Sequence, residues 1–366
     1  MKTGSRKKEI KSFLVMNPFG IGDVLFSTPL LRSIRASFPD ARIYYLCSKR
    51  SAPILRIHPL VEKVFIYDRD EFAAEMKKSF FAGLLKYWRF ILRLRREKIS
   101  CTLDLSLNTL YGFFAWMAGI KKRYGLDYKK RAFFLNGKVK IQGFNDKHVA
   151  DYYLDVLRLL DVPAGKYGLE VYTGGESDAW AENFLKGKGI TPEKTVIGVA
   201  PCGGEAFGRD NHLKRWPPEN FSRLIDELAE KYGALIFIFA GPKEKEEVAG
   251  ITAPLKHRGK VFDFSKISLE NTVSLARRCG LFISNDTGLL RFADGLGKKI
   301  VALYGPIDEK VYGPYLAEGR SVVVKKDLPC RPCYRNFRLK PCDRGRECLK
   351  SISVEEVLEA VSSIVK

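Results

Sequence analysis

The chain has 366 residues, of which 46% are hydrophobic and 29% charged, a balance typical of a folded globular protein and not of a disordered one. Its formal net charge of +21 predicts attraction to polyanions such as nucleic acid, anionic lipid or a phosphorylated glycolipid. No run approaches the ~20 apolar residues of a membrane-spanning helix, and the basic N-terminal stretch has no secretory apolar region. We therefore expect a cytoplasmic protein.

In chain order, short apolar runs alternate with segments whose apolar residues recur at helical spacing, clearest in 219–231 and 269–279. Such alternation predicts βαβ units and mostly parallel sheets, an α/β fold. The runs predicted to be strands are residues 13–17, 43–47, 64–68, 101–106, 196–200, 235–240, 281–285 and 300–304.

A glycine-rich stretch without a clear period, residues 161–178, predicts a seam between two domains. We expect one α/β domain over residues 1–165 and a second over 176–350, each with a doubly wound sheet, and a cleft between them. A last helix is predicted within 351–366, because Ser353 precedes glutamates in its first turn.

The first loop of interest is "NPFGIGD", which joins the strand at 13–17 to a helical pattern. Gly20 and Gly22 allow close backbone approach and positive φ, but the spacing is not that of a dinucleotide fingerprint. Asp23 stands at the predicted helix start. It is therefore either the N-cap of the helix or a carboxylate that does chemistry in the cleft.

The second loop, "PCGGEAFGRDNHLKRWP" at 201–217, combines the glycines at 203, 204 and 208 with the cations Lys214 and Arg215. A glycine loop with cations after a strand holds phosphate through backbone amides and charge. The alternative is an ordinary basic surface loop.

The third loop, Asn285-Asp286-Thr287-Gly288, follows the strand at 281–285 and precedes a helix whose exposed amides favour an anion. A carboxylate repels phosphate at short range, so we expect Asp286 to cap the helix or accept from sugar hydroxyls. Arg291 lies one turn in, within reach of an anion at the helix tip. Parallel sheets bind ligands at the carboxyl ends of their strands. The three loops therefore predict transfer from a nucleotide-activated donor, with diphosphate held by one domain and a base supplied by the other.

Four blocks, in order along nearly the whole chain, resemble glycosyltransferase family nine, the lipopolysaccharide heptosyltransferases. These blocks are "FGIGDVLFSTPLLRSIRASFPDARI", "FGRDNHLKRWPPENF", "KISLENTVSLARRCGLFISNDTGLLRFADGLGKKIVALYGPID" and the cysteine-bearing tail. The resemblance implies a GT-B fold, two Rossmann-like domains with an acceptor site in the first and a nucleotide-sugar site in the second, and the C-terminal helix packing back toward the N-terminal domain. It implies inverting transfer of heptose from ADP-heptose to the lipopolysaccharide inner core (lipid A–Kdo) without a required cofactor or catalytic metal.

The resemblance also implies roles for particular residues. Asp23 matches the proposed general base, and Lys214 matches the lysine that stabilises the leaving diphosphate. The remaining donor-binding positions implied by the match are Ile267 beside the adenine and the loop Asp286, Thr287 and Gly288. From the loops themselves we add Gly22, Gly204, Gly208 and Arg291 to the predicted donor site.

Two features depart from the family pattern. The family usually has His where Arg291 stands, and the loop between Gly204 and Leu213 is longer than usual. Both departures concern contacts to the donor. An enzyme of the same fold that uses another nucleotide sugar for a different surface glycan is therefore an alternative hypothesis.

Residues 77–98, "KKSFFAGLLKYWRFILRLRREK", predict a basic amphipathic helix with an aromatic apolar side. One interpretation is contact with an anionic membrane and the lipid acceptor, through Trp88, Arg89, Arg93 and Arg96; the other is a core-packing helix with a solvated basic face. On the first interpretation the protein is peripheral on the inner face of the inner membrane. Binding of nucleic acid is the non-enzyme alternative, and we do not expect it because the chain has no recognisable basic–aromatic RNA signature.

The chain has eight cysteines. Cys47, Cys101, Cys202 and Cys279 are isolated in the sequence, and we expect them to be buried as small apolar groups. The other four, Cys330, Cys333, Cys342 and Cys348, have the pattern C-x2-C-x8-C-x5-C, of which only the first pair has common zinc-site spacing. Structural zinc or another cluster, reduced buried thiols, and disulfides remain open as interpretations.

Overall fold

A computed structural model describes residues 10–204 and 208–365, so residues 205–207 of the predicted glycine loop lie outside the described part. The contacts divide the chain into two units. The first consists of Met1–Phe144 with Val149–Tyr167, and the second of Asn145–His148 with Gly168–Lys366. Each unit is built on a six-stranded parallel sheet.

The sheet of the first unit has the order β3-β2-β1-β4-β5-β6. Strands β2 and β3 are added on one side of β1, and β4, β5 and β6 are added on its other side. Its strands are β1 (Ser12–Met16), β2 (Arg42–Cys47), β3 (Lys63–Ile66), β4 (Cys101–Asp104), β5 (Lys122–Tyr128) and β6 (Gly137–Ile141). Its helices are α1 (Ile21–Phe26), α2 (Thr28–Ser37), α3 (Ala52–Arg56), α4 (Arg69–Lys78), α5 (Phe80–Arg96), α6 (Thr109–Met117) and α7 (Val149–Leu154), the last followed by a 3-10 turn (Asp155–Leu160).

The second unit repeats this strand order, with the sheet β12-β11-β10-β7-β8-β9. Its strands are β7 (Val196–Ala200), β8 (Leu235–Ile238), β9 (Val261–Asp263), β10 (Leu281–Asn285), β11 (Lys299–Tyr304) and β12 (Ser321–Lys325), with a small hairpin of β13 (Tyr334–Arg335) and β14 (Arg338–Leu339). The helices are α8 (Gly175–Gly187), α9 (Pro218–Lys231), α10 (Lys245–Thr252), α11 (Leu269–Ala276), α12 (Gly288–Gly295), α13 (Glu309–Tyr312), α14 (Glu347–Lys350) and α15 (Val354–Val365), with 3-10 turns at Gly208–Lys214 and Arg258–Lys260.

The central strands are apolar on both faces because helices cover both sides of a parallel sheet. In β1 and β7 every residue is buried. All eight predicted strands are present, which confirms the α/β prediction. Among the described residues no helix combines the length and apolarity needed to cross a bilayer.

The C-terminal helix α15 packs inside the second unit, against α9, β11 and β12. Its buried side chains Val354, Val357 and Val361 join the core formed with Ile283 and Val301. The sequence-based expectation that residues 351–366 pack back toward the N-terminal domain stays a prediction. Within the second unit, the buried side chains of α15 cover one face of the sheet.

Candidate functional site

Two loops of the second unit meet at the point where its strand order reverses. One follows β7 and ends in the 3-10 turn that carries Lys214; the other follows β10 and begins with Asp286. Strands β7 and β10 are hydrogen-bonded neighbours, although the chain forms β8 and β9 between them. Ligands of doubly wound sheets bind at such a reversal, outside the carboxyl ends of the strands.

Lys214 and Asp286 form a buried ion pair at this reversal. The side chain of Lys214 is 5% exposed, and its Nζ donates to the Asp286 carbonyl at 2.7 Å and to Asp286 Oδ2 at 3.1 Å. A buried ion pair persists only with good geometry and further hydrogen bonds. The structure thus brings these two predicted site residues into contact.

A second buried cation holds the other oxygen of the same carboxylate. Arg291, one turn into α12, forms a salt bridge with Asp286 Oδ1, and its Nη1 donates to the hydroxyl of Tyr304 at 3.1 Å. The Tyr304 hydroxyl in turn donates to the Tyr312 carbonyl at 2.8 Å. Tyr304 thus orients the guanidinium, and sequence reasoning missed it because it lies at the end of the next strand, β11.

This arrangement determines the protonation state of Asp286. Burial alone would raise the pKa of the carboxyl, but the charges of Lys214 and Arg291 outweigh burial and lower the pKa below its usual value. Asp286 is therefore a carboxylate at neutral pH. Through its two ion pairs, the carboxylate holds Lys214 and Arg291 beside the start of α12.

The helix cap at this loop differs from the expectation. Thr287 is the N-cap of α12, and its side chain accepts from the Leu290 amide at 3.4 Å, while Gly288 is the first helical residue. Asp286 is not the cap. Its carboxylate turns instead to the two cations, and the anion that Arg291 reaches is the carboxylate of Asp286 itself.

A neutral network ties the two loops together. The Asn285 side chain accepts from the Trp216 amide at 3.1 Å and donates to the Pro201 carbonyl at 2.5 Å. Both contacts join the last residue of β10 to the loop that follows β7. The backbone on either side of Lys214 and Asp286 is therefore fixed by hydrogen bonds as well as by charge.

The glycine part of the loop has a carboxylate partner that sequence reasoning missed. Gly204 has φ +68°, a left-handed conformation that suits glycine. Its amide donates to Glu244 at 2.9 Å, and the Gly241 amide donates to the other oxygen of Glu244 at 2.8 Å. Glu244 follows β8 and is buried. Its only sequence signal is a Gly-Pro-Lys-Glu turn directly after a strand.

The predicted adenine neighbour, Ile267, lies in the loop that follows β9, so it stands at the same carboxyl edge of the sheet. It is partly buried and packs against the core on one face of this sheet. The next residue, Ser268, caps α11 through the Asn271 amide. Gly208 begins the 3-10 turn that ends at Lys214.

The predicted base, Asp23, lies in the first unit. Helix α1 begins at Ile21 with Gly20 as its N-cap and no side-chain cap, so Asp23 is the third helical residue and not the cap. Asn17 supports this turn by donating to the Asp23 carbonyl at 3.1 Å. The carboxylate is partly exposed in the first helical turn, next to Gly22, where the helix dipole favours a negative charge.

The basic, aromatic segment is a helix whose two halves differ. In the C-terminal half of α5, Phe90, Ile91 and Leu94 are buried in the core of the first unit. In the N-terminal half the large apolar side chains are exposed: Phe80 60%, Phe81 81%, Leu84 53%, Leu85 47% and Trp88 47%. Arg89, Arg93 and Arg96 are exposed as well. The core interpretation holds for one half of the helix and leaves the apolar face of the other half unexplained.

All eight cysteines are free thiols. The isolated Cys47, Cys101, Cys202 and Cys279 are buried, as expected. In the C-terminal group Cys348 is buried, but Cys330 and Cys342 are exposed, so the interpretation of four buried thiols is wrong. Among the described residues no three His, Cys, Asp or Glu side chains are arranged as ligands of one metal ion.

Comparison with known proteins identifies the class of enzyme and the family to which the chain belongs. Residues 87–342, more than half of the chain, match the family model of glycosyltransferase family 9 (heptosyltransferase). The chain belongs to this family and is a glycosyltransferase. This confirms the resemblance seen in the sequence.

Individual relatives agree over almost the full length. The chain is 27% identical to lipopolysaccharide heptosyltransferase 2 of Salmonella typhimurium, covering 96% of this chain and 98% of the relative. A family 9 glycosyltransferase structure from Veillonella parvula superposes with a TM-score of 0.80 at 23% identity, covering 97% of each chain. The E. coli heptosyltransferase WaaC with ADP-2-deoxy-2-fluoro heptose superposes with a TM-score of 0.69 at 19% identity, covering 96% of this chain and 99% of that one. The chain has the GT-B fold, as predicted.

Proposed function

We propose that this protein transfers a heptose from ADP-heptose to the inner core of a lipopolysaccharide precursor, a lipid A–Kdo acceptor, with inversion at the anomeric carbon. The observation that carries the proposal is the buried Lys214–Asp286–Arg291 cluster at the strand reversal of the second unit, in a chain of the heptosyltransferase family. The solved relative with a fluorinated ADP-heptose supports the donor.

The reaction is a single displacement. An acceptor hydroxyl oxygen forms the new bond to the anomeric carbon while the bond from that carbon to the diphosphate oxygen breaks, and the electron pair leaves with ADP. Asp23 takes the proton of the acceptor hydroxyl as general base. No catalytic metal is assigned to this step.

The second unit stabilises the leaving diphosphate. Charge develops on the diphosphate as the bond breaks, and donors that are already oriented toward it lower the barrier without reorganisation. Lys214 and Arg291 are oriented by Asp286 and Tyr304, and the first amides of α12 add the positive end of a helix. Gly204, Gly208, Thr287 and Gly288 let the backbone approach the donor closely, and Ile267 supplies an apolar contact for the adenine.

The acceptor is an amphiphile, and the first unit has a surface suited to its surroundings. We propose that Trp88 and the neighbouring exposed apolar residues of α5 enter the interface of an anionic membrane while Arg89, Arg93 and Arg96 contact its phosphates. The protein then acts as a peripheral protein at the inner face of the inner membrane.

The test is transfer measured with purified protein, ADP-heptose and a Kdo–lipid A acceptor. Asp23→Asn removes the base while keeping the side-chain shape, and we expect kcat to fall by about 10²–10⁴ with little change in the KM for donor. Lys214→Ala should lower kcat and raise the KM for ADP-heptose together. The anomeric configuration of the product, read by NMR, tests inversion.

Asp40→Asn, a substitution of an exposed carboxylate in the same unit, is the matched control and should leave turnover unchanged. Full turnover of the Asp23→Asn enzyme would remove Asp23 from the mechanism. If the protein turns over ADP-hexoses or UDP-sugars faster than ADP-heptose, the donor assignment is wrong although the transferase class stands.

A further inference from the structure

The four cysteines of the tail surround a single small cavity in the second unit. Cys330, Cys333, Cys342 and Cys348 all line it, together with Leu213 and several basic side chains. The cavity measures about 20 Å³. A water molecule needs at least ~10–15 Å³ measured in this way, so the space is large enough for one atom-sized guest.

The local chain path is that of a metal-binding module. Cys330 and Cys333 flank a tight turn in which the Cys333 thiol donates to the Cys330 carbonyl at 3.3 Å. The hairpin of β13 and β14 follows and leads to Cys342, whose sulfur accepts from the Arg346 amide at 3.3 Å. Cys348 lies in the first turn of α14. Two cysteines before a hairpin, one after it and one at a helix start bring four thiols to one cavity, and four cysteine ligands are common in structural zinc sites.

The segment has little hydrophobic core to hold this shape. Between residues 325 and 347, Leu328 and Tyr334 are only partly buried against the cores of the second unit, and the Arg331 side chain, 7% exposed, is charged. A lone two-stranded hairpin is marginally stable in water at best, and segments that lack a core are ordinarily stabilised by disulfides or a metal. The cysteines are free thiols, two of them exposed, and Lys340, Arg344 and Arg346 line the same cavity.

We propose that Cys330, Cys333, Cys342 and Cys348 together bind one thiophilic metal ion of the zinc type with tetrahedral thiolate coordination. The thiols line the cavity without converging on one point here, so binding requires the side chains to rotate into the space they already surround. The ion is structural and takes no part in sugar transfer, because all four coordination positions are filled by the protein.

The cysteine-bearing segment, residues 330–348, also contacts the backbone of the proposed donor site. Arg346, four residues after Cys342, donates from Nη1 to the His212 carbonyl at 2.9 Å and to the Arg215 carbonyl at 3.4 Å. These carbonyls flank Lys214, and Leu213 between them lines the cavity. Given the proposed function, loss of the ion should therefore loosen Lys214 and raise the KM for donor more than it lowers kcat.

The experiment measures metal content by mass spectrometry in full-length protein purified without chelator, together with thiol titration. We expect about one zinc or iron ion per chain, and protection of the four thiols until a chelator is added. Cys342→Ser is the informative variant. Because Cys342 is exposed, its replacement creates no cavity, yet the ion and several degrees of melting temperature should be lost. Cys279→Ala, at a buried cysteine of another core cluster, should keep the ion.

Protein without bound metal that cannot be loaded with Zn²⁺ alone, and whose four thiols react freely, would overturn the proposal. If the thiols stay unreactive after chelation and react only after reduction, the cysteines form disulfides and the proposed metal site is wrong. Both readouts are independent of activity. A protein that binds the ion but does not transfer heptose would refute the proposed function and leave this site standing.

Discussion

The two units have the same strand order, and each places a carboxylate at the carboxyl end of its fourth strand, beside the reversal. In the first unit this is Asp104, at the end of β4, where the Ser106 amide donates to it at 2.8 Å. Burial raises the pKa of Asp104 to about 7. In the second unit it is Asp286, directly after β10, with its pKa lowered by two buried cations that outweigh burial.

The comparison shows that topology brings polar groups to a sheet edge but does not decide their charge. The turn after β1 is built from neutral hydrogen bonds, such as those of Asn17 and the Ser27–Tyr45 hydroxyl pair at 2.6 Å. The loop after β7 places Lys214 in an ion pair with the carboxylate of Asp286. Among the described residues, buried lysine and arginine side chains gather at the second edge and not at the first, which agrees with the proposed diphosphate site there.

The largest effect on stability is expected from breaking the Lys214–Asp286–Arg291 cluster. Asp286→Asn leaves Lys214 and Arg291 buried without their carboxylate, and we expect the free energy of unfolding to fall by about 3–5 kcal/mol. Urea unfolding at neutral pH measures it. Asp178→Asn, which breaks the more exposed pair with Arg277 in the same unit, is the control and should cost less than ~1 kcal/mol. Equal losses in the two variants would mean that the cluster has no special role.

An intermediate effect is expected at the exposed apolar residues of α5 in the first unit. Replacing Phe81 and Trp88 of α5 by Ser should weaken binding to vesicles containing anionic phospholipid about tenfold or more, because each aromatic ring contributes roughly 1 kcal/mol or more when buried. Flotation with labelled vesicles measures it. Leu316→Ser removes an exposed apolar side chain of the second unit and should change nothing. Unchanged binding of the double variant would exclude this face from membrane contact.

The smallest effect sharpens the contrast between the two carboxylates. The folded-state pKa of Asp104, about 7, lies above the unfolded value of ~3.9, so its contribution to stability is fully present below the unfolded pKa and is lost as pH rises through 7. Asp104→Asn removes this loss. The variant should therefore gain stability relative to the parent between pH 5 and pH 8, measured by thermal melting at each pH.

Asp286 has the opposite sign. Its lowered pKa means that its stabilising contribution is present above the unfolded pKa and is lost only as pH falls below that range. A parent-minus-variant difference for Asp104→Asn that stays flat from pH 5 to pH 8 would contradict the raised pKa and remove this part of the comparison.

The sequence was sufficient for the central strands, because burial on both faces requires continuous apolar runs. It was insufficient for β5, β6 and β9, which lie toward the sheet edges. Their residues, "KRYGLDY", "GKVKI" and "VFD", carry charges or are too few to show a period. The edge strand β12 was missed too, although "SVVVK" is apolar.

Within the site, local patterns found Lys214 and the Asp286 loop because both lie in loops that follow apolar strands. Local patterns did not find Tyr304, the partner of Arg291, or Glu244, the partner of Gly204. Both residues are distant in sequence from the predicted loops or lie on other strands, and they reach the site through the packing of neighbouring strands. The prediction that Asp23 caps the helix is wrong, because Gly20 occupies the N-cap position and the helix begins two residues before the aspartate. That difference depends on backbone angles that residue types alone do not determine.

The Trp216 indole donates to the Ile352 carbonyl at 3.0 Å, just before α15 enters the core of the second unit. The last dozen residues are thereby joined to the backbone beside Lys214. A premature stop codon after residue 350 would strip Val354, Val357, Val361 and Ile364 from that core and leave an apolar groove open to water. Late nonsense alleles should therefore behave as complete loss of function, and affinity tags belong at the other terminus.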